Sequence, residues 1–341
     1  MPSLLSIPLE LREAILELAL CTPSSPPARS ELEARKPETA EREHESMAWS
    51  FGYTNTLYED DRAYSITGLP LLLVNRQLSA ETKYVLARMR KSLTYHLDVV
   101  LMDERYVLPT WLCVPTLSDH VENVVATIRV LGLYKRKEYR YHSFAGGDGG
   151  PPHIVWCFYA LLERFFKYGP VNATTPKKER RTIVQNLVLN FVDTDDTRND
   201  PHLRQILSKD LMFHHWYEPR RPFCDGVENP WLRDCYLRPE WFAYFLGIEL
   251  MTFLTIRSVV MTYGDFMFEQ AAMVELHING KFYTCIDITK RLVKYDGEDY
   301  LDWKMRTMEK RKKAGLPLTY RRESEMGNDP AFRQWFGFVN D

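Results

Sequence analysis

The residues best suited to chemistry form an acidic run at the end of an apolar strand: Leu187-Val188-Leu189-Asn190-Phe191-Val192, then Asp193-Thr194-Asp195-Asp196-Thr197. Closely spaced carboxylates delivered by a strand are the raw material of a hydrolytic centre, yet Asp, Thr and Asn also make the ordinary polar turn after a buried strand. His214-His215 lacks the H-E-x-x-H spacing of a zinc helix, and adjacent helical residues point in different directions, so no shared metal is predicted. Gly146-Gly147-Asp148-Gly149-Gly150 has neither the Lys-Ser/Thr of a phosphate-binding loop nor G-x-G-x-x-G order, and predicts a flexible loop from strand to helix. There is no G-x-S-x-G, and the six cysteines include no C-x-x-C pair, which excludes a zinc ribbon and a dithiol redox motif. No cofactor is expected.

The acidic run resembles the first motif of haloacid-dehalogenase-type phosphatases. That resemblance implies Asp193 as nucleophile, Asp195 as general acid/base and a magnesium ion screening both carboxylates from the incoming phosphate. The same letters also spell the D-x-D-D acid of class II terpene cyclases. The lysine and paired aspartates of the phosphatase pattern do not follow in order, and no wider cyclase pattern is present. The turn is therefore preferred, with the phosphatase kept as a third alternative.

Whatever these groups do, a chain of 341 residues, enough for about two domains, has to position them. A hydrophobic share of 45% beside a charged share of 26% excludes a wholly disordered chain. With 44 Lys and Arg against 46 Asp and Glu there is no global basic field to hold nucleic acid. The N-terminal stretch has no basic segment and carries Glu10, Arg12, Glu13 and Glu17 among its apolar residues, unlike a signal peptide. An intracellular setting, cytoplasmic or nuclear, is expected, and Lys310-Arg311-Lys312-Lys313 is read as a solvated helix end. The most apolar run, Trp241 to Ile256, is shorter than the roughly 20 residues of a span and contains Glu249, so it predicts a buried helix and no membrane contact.

Ser6 as cap and Pro8 in the first turn open a helix whose apolar face is predicted to be Leu11, Ile15, Leu18 and Ala19, widened by Leu16 and Leu20. From Cys21 to Gly68 large apolar residues are few, predicting a flexible surface insertion with local docking by Trp49, Phe51, Tyr53 or Tyr58. Leu71, Val74, Leu78 and Val85 recur at helical spacing and predict one helix from Leu69 to about Arg90, followed by a strand over Thr94 to Met102. Val121 to Ile128 and Val184 to Phe191 share the pattern V-[E/Q]-N-aliphatic-V-x-[T/N]-[I/F]. Their spacing is about twice the roughly 20 to 29 residues of a regular leucine-rich repeat. A hairpin turns at Asn279-Gly280, helices run over His153 to Tyr168 and Pro239 to Leu254, and Asp299 to Lys313 predicts an exposed helix. The tail beyond it, with Phe332, Trp335, Phe336 and Phe338, is expected to pack back onto the body.

Two N-terminal segments carry a further resemblance: Leu5-x-Ile7-Pro8-x-Glu10-Leu11-Arg12-x-x-Ile15-Leu16-x-Leu18 and Leu71-x-x-Val74-Asn75-Arg76-x-Leu78-x-x-Glu81. They resemble an F-box, and more narrowly the F-box-like proteins expanded in filamentous fungi, where an LP-x-E-[I/L]-R helix is followed, after a variable insertion, by LLLV-[C/N]-R-Q-x-x-A-E. The insertion is longer here than in a typical F-box, Leu78 replaces the usual tryptophan, and Asn75 replaces the usual cysteine or serine. The resemblance implies a module that docks on the Skp-family adaptor of a cullin-RING ubiquitin ligase, while the rest of the chain recruits a protein substrate.

The expected fold is α+β or α/β. A helical F-box-like module covers residues 1–90, with its insertion at 21–68; an irregular strand–helix body, at most a degenerate leucine-rich-repeat-like array, covers 91–296; a basic helix and aromatic tail cover 297–341. The expected function is that of a non-enzymatic substrate receptor of an SCF-type ligase, with Ile7, Pro8, Leu11, Ile15, Leu16, Leu73, Val74 and Leu78 meeting the adaptor. Its partners would be the adaptor, the cullin and a protein substrate, without nucleic acid or membrane. The alternative is a scaffold of the same fold that does not meet the ligase. As a plain core, Leu11, Ile15 and Leu18 would instead pack on Val74, Leu78 and Val85.

Overall fold

Segments of alternating hydropathy become the strands of one sheet. In chain order these are β1 (Thr94–Met102), β2 (Tyr106–Cys113), β3 (His120–Leu131), β4 (Ile183–Val192), β5 (Ala271–Ile278) and β6 (Lys281–Asp287), and across the sheet the order is β2-β1-β3-β4-β5-β6. The helices are α1 (Leu9–Cys21), α2 (Arg29–Glu33), α3 (Leu69–Leu73), α4 (Arg76–Met89), α5 (His153–Tyr168), α6 (Asp195–Arg198), α7 (Pro239–Phe253), α8 (Asp265–Gln270), α9 (Ile288–Lys294) and α10 (Leu301–Lys313). The structure, a computed structural model, describes residues 4–35, 66–133, 143–145, 151–170, 180–200, 216, 234–256 and 263–320.

β1, β3, β4 and β5 run parallel, and antiparallel hairpins close both edges. The two related segments are neighbours in register: Asn123 pairs with Asn186, Val124 with Leu187 and Ile128 with Phe191. Their likeness is that of two strands placing the same residue types at the same depth of one sheet. Successive parallel strands always join the same edge, so right-handed crossovers put the connecting helices on one face. Val124, Ala126, Ile128, Leu187, Leu189 and Phe191 form the floor of that core, and α5, α7 and α8 form its roof. The body is thus α/β behind a helical N-terminus, but its connections are too long and unequal for a regular solenoid. β2 contains Pro109, and as an edge strand it tolerates the missing donor.

The N-terminal helices depart from expectation in two places. Ser6 does not cap α1: Leu4–Ser6 makes one 3-10 turn, and Pro8 takes the N-cap position with no side-chain capping bond. The single helix expected from Leu69 to Arg90 is two helices, broken at Asn75. Asn75 is extended (φ −160°, ψ 170°) and its Oδ1 accepts the Leu78 N–H at 2.9 Å, so it caps α4. Leu16, Leu20, Val85, Met89 and Leu93 form a small core beneath these helices. The module is tied to the sheet where the insertion leaves and returns. Ser24 N–H donates to the Leu112 carbonyl at 2.9 Å, and Thr67 and Gly68 donate to Val114 and Pro115 at 2.9 and 3.1 Å. A Cβ at Gly68 would lie 2.6 Å from the Pro115 oxygen, so this approach requires glycine.

The first part of the insertion is not loose. α2 lies against the sheet face opposite the helices, with Leu32 buried among Val100, Met102, Leu108 and Leu131. Arg29 pairs with Asp196 at 3.1 Å, and Arg35 donates to Thr110 Oγ1 at 2.6 Å. One leucine and two arginines do this, too sparse a signal for composition to show. Residues 36–65 lie outside the described residues, as do the glycine run 146–150, His214-His215 and the tail with Phe332, Trp335, Phe336 and Phe338.

The basic helix is also corrected. α10 is not an exposed appendage: Trp303, Thr307 and Arg311 are buried on it. Arg311 donates to the carbonyls of Phe268 and Ala271 and, at 2.6 Å, to Thr289 Oγ1. Burial pushes its pKa down to about 10. The Lys310-Arg311-Lys312-Lys313 run therefore includes one internal strut between α8, α9 and α10.

Candidate functional site

α1 presents two stripes, and their assignment reverses the hydropathy reading. Arg12, Leu16 and Leu20 are buried, whereas Leu11, Ile15 and Leu18 are exposed. The cause is Arg12. Its Nε donates to Glu81 Oε2 at 2.9 Å and its Nη2 to Oε1 at 2.6 Å, a bidentate fork that pins α1 against α4. Nη1 donates to the Ile7 carbonyl at 2.6 Å, which also fixes the segment leading into the helix. Gln77 Nε2 donates to Glu81 at 3.0 Å, and the hydrogen bonds from Arg12 hold the Glu81 carboxyl below its usual range. On the other flank Arg88 reaches Glu13 and Glu17 at 2.9 and 2.7 Å. With Arg12 fixed inward beside Leu16 and Leu20, it is Leu11, Ile15 and Leu18 that face out.

The outward surface is dense in apolar side chains. Leu11 is 57% exposed and Leu18 68% on α1, and Leu73 is 74% and Val74 60% exposed at the end of α3. Leu4, Leu5, Leu9, Ile15 and Leu69 add to it. Among the expected adaptor contacts, Pro8, Leu11, Ile15, Leu73 and Val74 are exposed and Ile7 is half-buried. Leu16 (1%) and Leu78 (5%) are not available: both side chains are buried inside the module, Leu16 among Leu20, Val85 and Met89, and they cannot give area to a partner. Leu11, Ile15 and Leu18 do not serve as a core on Val85 either; Leu16 and Leu20 fill that role. Leu9 and Leu69 were missed because their place on the outer surface depends on how α1 and α3 pack, which no short motif encodes.

The acidic run takes the form of a turn. Thr194 caps α6, its Oγ1 donating to the Val130 carbonyl at 2.9 Å and accepting from the Thr197 N–H. Asp193 accepts from Asn279 Nδ2 at 2.9 Å and Thr197 Oγ1 at 3.2 Å. Asp196 accepts the Gly132 N–H at 2.8 Å and pairs with Arg29. The Asp195 side chain is 92% exposed, with Arg198 at 3.6 Å. The three carboxylates thus serve the β5–β6 turn, the α2 contact and the solvent, rather than one shared ion. Among the described residues no group of three or more His, Cys, Asp or Glu could hold a metal, and no helix is long and apolar enough to cross a membrane.

The sheet face opposite the helices is polar outside the α2 contact. Asn123 Nδ2 donates to Thr94 Oγ1 at 3.3 Å, Asn186 Nδ2 to Glu275 Oε1 at 3.0 Å, and His277 Nε2 lies 2.9 Å from Glu275 Oε2. These side chains cross four strands. No protein-family model, curated protein or solved structure matches the chain, which leaves the outward surface of α1 and α3 as the feature that most needs a function.

Proposed function

We propose that this chain is the substrate receptor of an SCF-type cullin-RING ubiquitin ligase, a non-enzymatic protein whose helical N-terminus docks on a Skp-family adaptor. The observation that supports the reading is the outward stripe Leu11, Ile15 and Leu18 on α1, held by the Arg12–Glu81 fork, together with the exposed Leu73 and Val74 at the end of α3. Fully burying one such side chain is worth roughly 1.5–3 kcal/mol, so a handful of them supplies the driving force of a helix-in-groove contact. Pro8, Leu11, Ile15, Leu73 and Val74 are the docking residues, and the exposed Leu9, Leu18 and Leu69 are further candidates. The polar sheet face with Asn123, Asn186, Glu275 and His277 is the part of the body we assign to the substrate.

The test is co-expression with a fungal Skp-family adaptor, followed by size-exclusion chromatography. Co-elution that survives in wild type and is lost in Leu11→Glu and in Leu73→Asp supports the reading. Separate elution of two folded proteins would leave a scaffold of the same fold that does not meet the ligase.

A further inference from the structure

The core face of the sheet has one gap in a row of leucines. At one depth Leu97, Ala126, Leu189 and Leu276 pair across β1, β3, β4 and β5, all in the core under the helices, and Ala126 is shorter than its neighbours by an isopropyl group. Beside it lies a cavity of about 60 Å³, bounded by Leu97, Ala126 and Leu189 on the sheet and by Tyr159, Leu246 and Phe266 on α5, α7 and α8. Almost no polar surface faces this space, although Glu249 and Tyr263 stand among the residues around it. Water would find no hydrogen-bonding partner there, and apolar cavities stay dry or take up apolar molecules. Most of the wall is buried, but Trp111 on β2, Phe158 and Leu162 on α5 and Leu250 on α7 are only half-buried. These residues mark the side on which the cavity comes nearest to solvent.

The size and chemistry of the wall define the occupant. A water molecule takes about 30 Å³ in the liquid and a cavity of about 150 Å³ holds benzene, so this one suits a molecule smaller than an aromatic ring, such as a xenon atom or a hydrocarbon of about three carbon atoms. An ammonium or a carboxylate would give up its hydration there and meet no partner in return. An uncharged apolar molecule loses nothing of that kind, and it gains the dispersion contacts that the lining atoms otherwise forfeit. We propose that this cavity is a binding site for a small uncharged apolar molecule, seated against Ala126 and entering past Trp111, Phe158 and Leu250. The site lies in the body and does not depend on adaptor docking.

The experiment is methyl NMR of the full chain at neutral pH, titrated with cyclopropane and, at the same concentrations, with n-propylammonium and propionate. The expected result is a set of saturable shifts at the methyls of Leu97, Ala126 and Leu189 with cyclopropane, reversed by competition from xenon, while the two ions bind at least about tenfold more weakly. Ala126→Leu, which restores the missing isopropyl group, should abolish the cyclopropane shifts at Leu97 and Leu189, and the smaller Ala126→Val should weaken binding by less. The comparison of cyclopropane with the two ions on the wild-type chain stands even if both variants fail to fold. Absence of saturable shifts with cyclopropane, an ion binding as well as cyclopropane, or cyclopropane binding unchanged in folded Ala126→Leu would each overturn the proposal.

Discussion

Two arginine–carboxylate forks show how single residues set this structure. Glu81, held by Arg12, has its carboxyl below the ordinary value of 4.5, so the pair stabilises the fold above that pH, and its contribution is lost as pH falls through the lowered folded value. Glu81→Gln should therefore lower the midpoint of urea unfolding at pH 7, and the gap to wild type should narrow on acidification to pH 3; melts followed by circular dichroism at both pH values check this. The second fork is more deeply buried. Asp98 is fully enclosed on β1 and receives Arg129 Nε and Nη2 at 2.7 and 2.6 Å; burial pushes its carboxyl up while Arg129 pulls it back. Arg129→Met removes both hydrogen bonds to that carboxylate, leaving only the field of Arg35 to offset its charge, and should cost roughly 3–5 kcal/mol, measured by urea denaturation, whereas changing both Asp98 and Arg129 to apolar residues of similar volume should cost much less.

At the scale of the element, α1 separates a buried stripe from an exposed one a single residue apart, and only the exposed one is proposed to bind. Leu16→Ala empties part of the module's small core and should cost roughly 2–5 kcal/mol in denaturant unfolding. Leu11→Glu changes an exposed position and should shift stability by no more than about 0.5 kcal/mol while abolishing co-elution with the adaptor. If both variants lost stability and binding together, the stripe would be core after all. Asn75→Ala, removing the cap of α4, belongs between them at about 1 kcal/mol.

For the whole molecule, the helical roof half-buries the Glu249 carboxyl on α7, and that burial is what shifts it. The folded Glu249 value of about 7 lies above the ordinary 4.5, so the folded state binds the proton more tightly than the unfolded chain. Stability should fall as pH rises from about 4.5 through about 7 and then level off. The loss should be roughly 2 kcal/mol by pH 8, less than the full shift implies because the carboxyl keeps some contact with water. Glu249→Gln should flatten this part of the profile, as read from thermal melts between pH 5 and pH 8. The parallel strands, joined edge by edge, leave one sheet face to the helices and the other to α2 and the Asn123–Glu275 polar row, so the two faces are free to serve different purposes.

Local pattern alone determined much of the frame. Thr94 to Met102 and His153 to Tyr168 end where alternation and helical spacing say they end, and the shared pattern around Asn123 and Asn186 marked two strands that proved to be paired in register. In each case the signal is a periodicity carried by neighbouring residues, which the backbone reads directly. Tertiary structure decided the rest. Which side of α1 faces inward depends on Glu81, far along the chain, because a paired guanidinium can occupy an inner position that hydropathy reserves for leucine. The burial of Leu32 and Arg311 depends in the same way on distant surfaces that supply apolar area or carbonyl oxygens. The apolar cavity between the sheet and the helices, lined by Leu97, Ala126, Leu187 and Phe158 among others, exists only once these elements converge, since a volume between elements is a property of packing and has no trace in any one of them.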